Sequence, residues 1–305
     1  MKNQQVNSKI RIEKEREQFY TSKSCVNHVM TLAIDFLVTR GVKIDKDTAF
    51  IEPSAGTGNF MIWLKEKGYK VAGYDLEPKM DGIIKQDFYK LSIKHDKKNI
   101  VIGNPPFGYK SKMALDFLNK SLEFSDIVIF ILPMQFKRFL TQKNITPSGK
   151  LIFSSPKLEK NSFIFKDKPY NVNCIFQIWV KNIKKFELFE DLRLKHPLPN
   201  KHEHFKTWIY NNTQQTFKYF DKKKYKWDFA VVRQGYYDYT EIISDPKKLN
   251  SKRQYLFVKI INPVAKKIFS LISFKELSES NTSVKGFSNT DLVRKYEEIL
   301  GRKSI

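Results

Sequence analysis

The stretch from Ala49 to Asn59 limits the possible folds of this chain more than any other. Ala49-Phe50-Ile51 is a short apolar run that reads as a buried strand, and Asn59 to Lys67 carries apolar residues at helical spacing. Between them lies Glu52-Pro53-Ser54-Ala55-Gly56-Thr57-Gly58. Small residues at a strand-to-helix turn let the backbone pass close beneath a ligand, and the helix N-terminus offers unpaired N–H groups. A glycine pair at a strand end is by itself more often a plain turn, so its surroundings have to decide.

Those surroundings repeat the same grammar. Val26, Val29, Met30, Ala33, Phe36 and Leu37 fall on one helical face within residues 24–40, and Gly41 stands where a helix stops. Lys70 to Tyr74, Ile100 to Gly103 and Asp126 to Leu132 read as strands, with helices over Met113 to Phe124 and Gln135 to Gln142. Leu151 to Ser154 and Cys174 to Lys181 follow as strands, the latter with Gln177 pointing outward. Alternation of this kind needs crossovers that bury both faces of a mostly parallel sheet, so the expected class is α/β and Rossmann-like.

Beyond Ile183 the pattern changes. Segments such as KTWIYNNTQQTF and KRQYLFVKII are aromatic and β-branched, which predicts a smaller α+β lobe with antiparallel strands. A last helix is expected over Thr290 to Leu300, capped by Asn289 or Thr290 and stopped at Gly301. The chain's 305 residues suffice for two lobes, placed at 1–183 and 184–305.

Two carboxylates extend the candidate ligand site. Asp75 ends the strand after the glycine turn, about twenty residues on, where Rossmann-type sites set a carboxylate against ribose hydroxyls. Asp87 follows the next short strand, placed to accept from a ligand's adenine amino group with Phe88 against the ring. Taken singly, each reads as a solvated loop charge. Together, residues 50–60 resemble motif I of the amino-methyltransferases, in which Glu52 and the Gly56-Thr57-Gly58 turn would lie under the methionine part of S-adenosylmethionine. Upstream, Gln18-Phe19-Tyr20-Thr21-Ser22 resembles the segment that precedes motif I in adenine methyltransferases and closes over the cofactor, with Ser22 where proline is usual. The resemblance implies a cofactor site built from Tyr20, Thr21, Glu52, Pro53, Ser54, Ala55, Gly56, Gly58, Asp75, Asp87, Phe88 and Asn104.

Asn104-Pro105-Pro106-Phe107, at the end of a buried strand, is the most specific motif. Adjacent prolines hold the backbone extended and make a stiff acceptor edge. An amine conjugated to a purine ring is a poor nucleophile, and two acceptors are needed to draw its lone pair out. The Asn104 side-chain carbonyl and the Pro105 main-chain carbonyl are the candidates, so that positioning supplies much of the rate. Phe107 would stack on the target base, which must leave a duplex to reach such a pocket. In this order the motifs resemble the adenine-N6 branch of the DNA methyltransferases over residues 18–181, with a target-recognition region last. That resemblance implies Asn104, Pro105, Pro106 and Phe107 as the catalytic set and Phe163 as a second aromatic against the base. It also implies DNA as partner, and leaves open a restriction endonuclease or specificity subunit.

Arg233, Gln234, Tyr236, Tyr237 and Tyr239 form an aromatic-basic cluster in the second lobe, with Arg233 and Tyr236 the candidates for substrate contact. A half-buried strand would give the same pattern. Composition supports a polyanionic partner: 55 Lys and Arg against 32 Asp and Glu leave +23, shared about equally by the two halves. Cys25 and Cys174 form no C-x-x-C pair, which argues against a disulfide scaffold or zinc ribbon, and no metal is expected. His202 and His204 find no ligand partners and are expected at the surface. The polar N-terminus and the shortness of the apolar run Ile127 to Leu132 predict an intracellular protein outside the membrane. Three alternatives stay open: an RNA adenine-N6 methyltransferase, a protein glutamine methyltransferase, whose motif is commonly N-P-P-Y, and a non-catalytic nucleic-acid-binding module.

Overall fold

The computed structural model describes residues 19–281 and 284–303. Gln18 of the upstream motif lies outside the described residues. The chain divides into two compact units, Met1–Lys195 and His196–Ile305.

In chain order the first unit contains β1 (Tyr20–Thr21), α1 (Lys23–Val38), β2 (Ala49–Glu52), α2 (Asn59–Glu66), β3 (Lys70–Asp75), β4 (Ile83–Lys85) and β5 (Asp96–Gly103). It continues with α3 (Lys112–Phe124), β6 (Ser125–Pro133), α4 (Phe139–Gln142), β7 (Gly149–Ser154), β8 (Phe163–Phe165), β9 (Lys168–Tyr170) and β10 (Cys174–Lys181). Seven strands form one sheet in the order β4-β3-β2-β5-β6-β10-β7. The first five run parallel, and β10 is antiparallel to both its neighbours. This is the α/β, Rossmann-like arrangement of a mostly parallel sheet expected from the sequence.

Strand periodicity explains how both faces are covered. Ile100, Ile102, Ile127, Ile129 and Ile131 join α1 and α2 in one buried cluster, and Val101, Val128, Phe130 and Leu132 join α3 in another. Gln177 departs from the expectation: it is fully buried, because α3's side of the sheet is covered where the sequence pattern suggested solvent. Its amide donates to Ser154 Oγ at 3.2 Å and its oxygen accepts from Trp179 Nε1 at 3.0 Å. The expected helix at Gln135–Gln142 is broken by Arg138, which is extended, into a tight turn over Met134–Lys137 and the single turn of α4.

The run 184–195, where the change of pattern at Ile183 starts the second lobe, is tied to the first unit. The buried Lys150 ammonium donates to the Phe186 and Phe189 carbonyls at 3.1 and 2.8 Å, and Leu192 N–H donates to Leu151 O at 2.8 Å.

The second unit is an antiparallel sheet of β11 (Phe205–Tyr210), β13 (Gln254–Ile260) and β12 (Phe229–Gln234) in that order, with α5 (Pro263–Phe269) and α6 (Asn289–Lys303) packed on it. Tyr255 to Val258 of the central strand are fully buried. The terminal helix is capped by Ser288 rather than Asn289 or Thr290: Asp291 N–H donates to Ser288 Oγ, while Ser288 N–H and Oγ donate back to Asp291. Such a capping box is visible in Ser288-Asn289-Thr290-Asp291. Gly301 does not stop the helix, which runs to Lys303. His202 and His204 are half-buried rather than exposed. His202 pairs with Glu297 at 2.9 Å and His204 Nδ1 bonds Tyr296 Oη at 2.9 Å.

Candidate active site

In chain order the sheet grows outward from β2 through β3 to β4, then returns to β5 on the other side of β2. Ligands of open α/β sheets bind at such a reversal, beyond the carboxyl ends of the strands. Glu52 closes β2, Asp75 closes β3, Asp87 follows β4 and Asn104 follows β5. All four line one cavity of about 350 Å³, a size suited to a small ligand. Tyr20, Thr21, Pro53, Ser54, Ala55, Gly56, Phe88, Pro105 and Pro106 line it as well.

The glycine turn is shaped by its neighbours. Gly56 has φ +50°, and a side chain there would run into the Tyr20 ring, so glycine is required twice over. Its N–H donates to Asp75 at 2.7 Å and its carbonyl accepts from Lys79 N–H at 3.0 Å. The other Asp75 oxygen accepts from Glu77 N–H at 2.8 Å, which orients the carboxylate along the cavity. Asp87 caps the following turn through Tyr89 N–H at 2.9 Å. Gly58 starts α2 beneath Met80 and does not line the cavity.

Tyr20 and Thr21 reach the cavity on the small antiparallel sheet β1-β8-β9. Asn59 Nδ2 donates to Thr21 O at 2.7 Å and pins that strand to the start of α2. Sequence reasoning missed Asn59, although its place as first residue of the helix after the glycine turn was a usable signal. Ser22 works at both ends: its N–H donates to Ser162 O at 2.9 Å and its Oγ accepts from Cys25 N–H as the cap of α1.

Of the buried polar atoms without a partner among the described residues, two belong to residues that line this cavity: Glu52 Oε2 and Asn104 Oδ1. Natural interiors rarely leave such atoms unpaired, and where they do a catalytic role or a bound water or ion is among the reasons. Glu52 is 2% exposed. Burial pushes its carboxyl well above the usual carboxylate range, the nearby Asp75 charge adds to this, and the Met61 backbone N–H opposes it. The Asn104 backbone is held by Ser54 Oγ, which donates to its carbonyl at 3.3 Å.

The aromatic expectations fare differently. Phe88 lines the cavity but is buried against Phe117, with ring centroids 4.3 Å apart. Phe107 is half-buried, edge-on to Phe19 at 5.4 Å, and is not among the residues that line the cavity. Phe163, expected against a base, is 0% exposed and sits edge-on to Phe19 at 5.1 Å. Its register opposite Thr21 makes it a support for β1. Tyr89 and Gln86 line the cavity and were not foreseen.

Arg233 and Tyr236 belong to the second unit. Arg233 bonds Asn211 Oδ1 at 2.8 Å, and Tyr236 is exposed. Tyr239 is buried, its hydroxyl donating to Gly235 O and Lys285 O, so it serves the core. Both cysteines are free and buried, and burial pushes the Cys25 thiol up to about 11. Among the described residues no cluster of three or more His, Cys, Asp or Glu side chains is placed to hold a metal ion, and no helix is long and apolar enough to cross a membrane.

No family model matches the chain, and no curated protein matches it. Solved structures do. The 23S rRNA methyltransferase ErmE is 13% identical, with 53% of this chain and 70% of that one covered and a TM-score of 0.40. A candidate RNA methyltransferase from Pyrococcus horikoshii is 20% identical over 55% and 89% of the two chains, with a TM-score of 0.42. A candidate class I S-adenosylmethionine-dependent methyltransferase from Listeria monocytogenes is 16% identical over 58% and 64%, with a TM-score of 0.41. At these identities and scores, what the chain does has to be argued from its own site.

Proposed function

We propose that this chain transfers a methyl group from S-adenosylmethionine to the N6 amino group of adenine in nucleic acid, with DNA as the substrate and RNA as the alternative. The observation that carries the proposal is the pair of unpartnered buried acceptors, Glu52 Oε2 and Asn104 Oδ1, in one cavity with the Gly56 turn.

The residues present fit the cofactor. Glu52 offers a buried carboxyl to a cationic amine, Asp75 a carboxylate to ribose hydroxyls, and Asp87 an acceptor to an adenine amino group, while Tyr20 covers the glycine turn. When bound, S-adenosylmethionine supplies an electrophilic methyl on a sulfonium. The protein's part is to present the attacking nitrogen. Asn104 Oδ1 and the Pro105 carbonyl accept the two N6 hydrogens, which directs the amine lone pair away from the ring and toward the methyl. The same two acceptors would stabilise the positive charge that the attacking nitrogen carries until one of its protons is released to solvent. The two prolines keep the acceptor edge from relaxing. The +23 charge supplies affinity for phosphates.

The test is to incubate the protein with labelled S-adenosylmethionine and separate pools of duplex DNA, single-stranded DNA, RNA and protein, then identify the product by mass spectrometry. N6-methyladenine in DNA is expected. Asn104→Ala should lower kcat by about 10²–10³-fold with cofactor affinity little changed. Labelling confined to RNA would move the assignment to the alternative substrate, and labelled glutamine in the protein pool would remove it.

A further inference from the structure

Directly after the N-P-P-F segment the chain raises an aromatic ring out of the protein. Tyr109 is 80% exposed, although the strand before it and the helix after it are buried along one side. The backbone that presents it is strained. Gly108, Lys110 and Ser111 have φ of +66°, +53° and +64°, a region that lysine and serine seldom enter. A side chain at Gly108 would collide with Met113. Ser111 Oγ donates to Gln135 Oε1 at 2.6 Å, and the Ser111 and Ala114 N–H groups donate to Gly108 O and Phe107 O at 3.1 and 3.3 Å. The loop is thus held in one shape, and what it presents to solvent is Tyr109.

Lys110 Nζ lies 5.1 Å from the Tyr109 ring centroid, and Lys110 and Lys112 are both exposed. An exposed aromatic with cations beside it is the combination that binds unpaired nucleic acid, the ring stacking on a base and the cations meeting phosphates. Five residues of chain reach no further than about 18 Å. Tyr109 therefore stands within a few nucleotide steps of the position that Asn104 serves.

We infer that Tyr109 is a stacking shelf for a nucleobase flanking the target adenine, with Lys110 and Lys112 taking the adjoining phosphates. The inference rests on the adenine-methylating function proposed above.

The full-length protein and its Tyr109→Ala and Tyr109→Phe variants are compared on single-stranded oligonucleotides of whichever nucleic acid the wild type modifies. A second set carries one abasic site, moved through five positions on either side of the target. Tyr109→Ala should raise KM roughly tenfold or more, with kcat at saturation and S-adenosylmethionine affinity unchanged, and Tyr109→Phe should stay near wild type. One flanking abasic position should cost the wild type the same factor and cost Tyr109→Ala nothing further. Unchanged KM in Tyr109→Ala, or equal abasic penalties in both proteins, overturns the shelf while leaving the methylation reaction standing. A wild type that binds S-adenosylmethionine but methylates no nucleic acid overturns both.

Discussion

At Glu52 and Asn104 the described residues leave buried oxygen atoms unpaired, at a cost of about 1–3 kcal/mol each. Glu52 is the more expensive, since its raised pKa means that the folded apoprotein holds the proton more tightly than the unfolded chain does. The sign follows. As pH rises above the ordinary carboxylate range the unfolded chain ionises first, so stability falls with pH up to the raised value and then levels. A cationic ligand reverses the preference, so affinity for S-adenosylmethionine should rise with pH across the same window. Glu52→Gln should raise the apoprotein's Tm at neutral pH by a few degrees, weaken S-adenosylmethionine roughly 10- to 100-fold and flatten that pH dependence. Calorimetric titration between acidic and neutral pH checks all three, and a variant that binds as well as wild type would exclude Glu52 from the cofactor site.

Between residues and sheet stands a smaller device, the strand β1 held across the glycine turn. Three contacts keep it there: Asn59 to Thr21, the pairing of Thr21 with Phe163, and the Ser22 N–H to Ser162. Ser22 has φ −68°, which proline also adopts, so the usual proline would fit sterically. It would nevertheless lose the N–H bond and the α1 cap. Ser22→Pro should therefore cost about 1–2 kcal/mol, seen as a lower denaturation midpoint, and should weaken cofactor binding several-fold as β1 loosens. Equal midpoints would show that Ser22 is not a tether. Tyr20 and Thr21, singled out by motif matching, line the cavity. Such matching could not assign Phe163, because an aromatic that props a strand and one that stacks on a base look alike in sequence.

On the scale of the whole molecule, the described residues form separate hydrophobic clusters in the first and second units. Ligands stabilise only the part that binds them. Thermal unfolding followed by calorimetry should show two transitions, of which S-adenosylmethionine raises only the one belonging to residues 1–195. A single transition that shifts as a whole would mean that the two cores unfold together. Much of this organisation was legible beforehand, because strand and helix periods, proline pairs and glycine turns are local properties written in neighbouring residues. The order of the elements, the strand-end carboxylates and the N-P-P-F segment at residues 104–107 are of that kind. Burial is not local: Gln177 is enclosed and the two histidines are half-buried, against expectation, because what covers a side chain comes from distant segments. Only the tertiary structure could bring Glu52, Asp75, Asp87 and Asn104 to one cavity and leave two of their oxygens without a partner, since that requires four strands lying side by side.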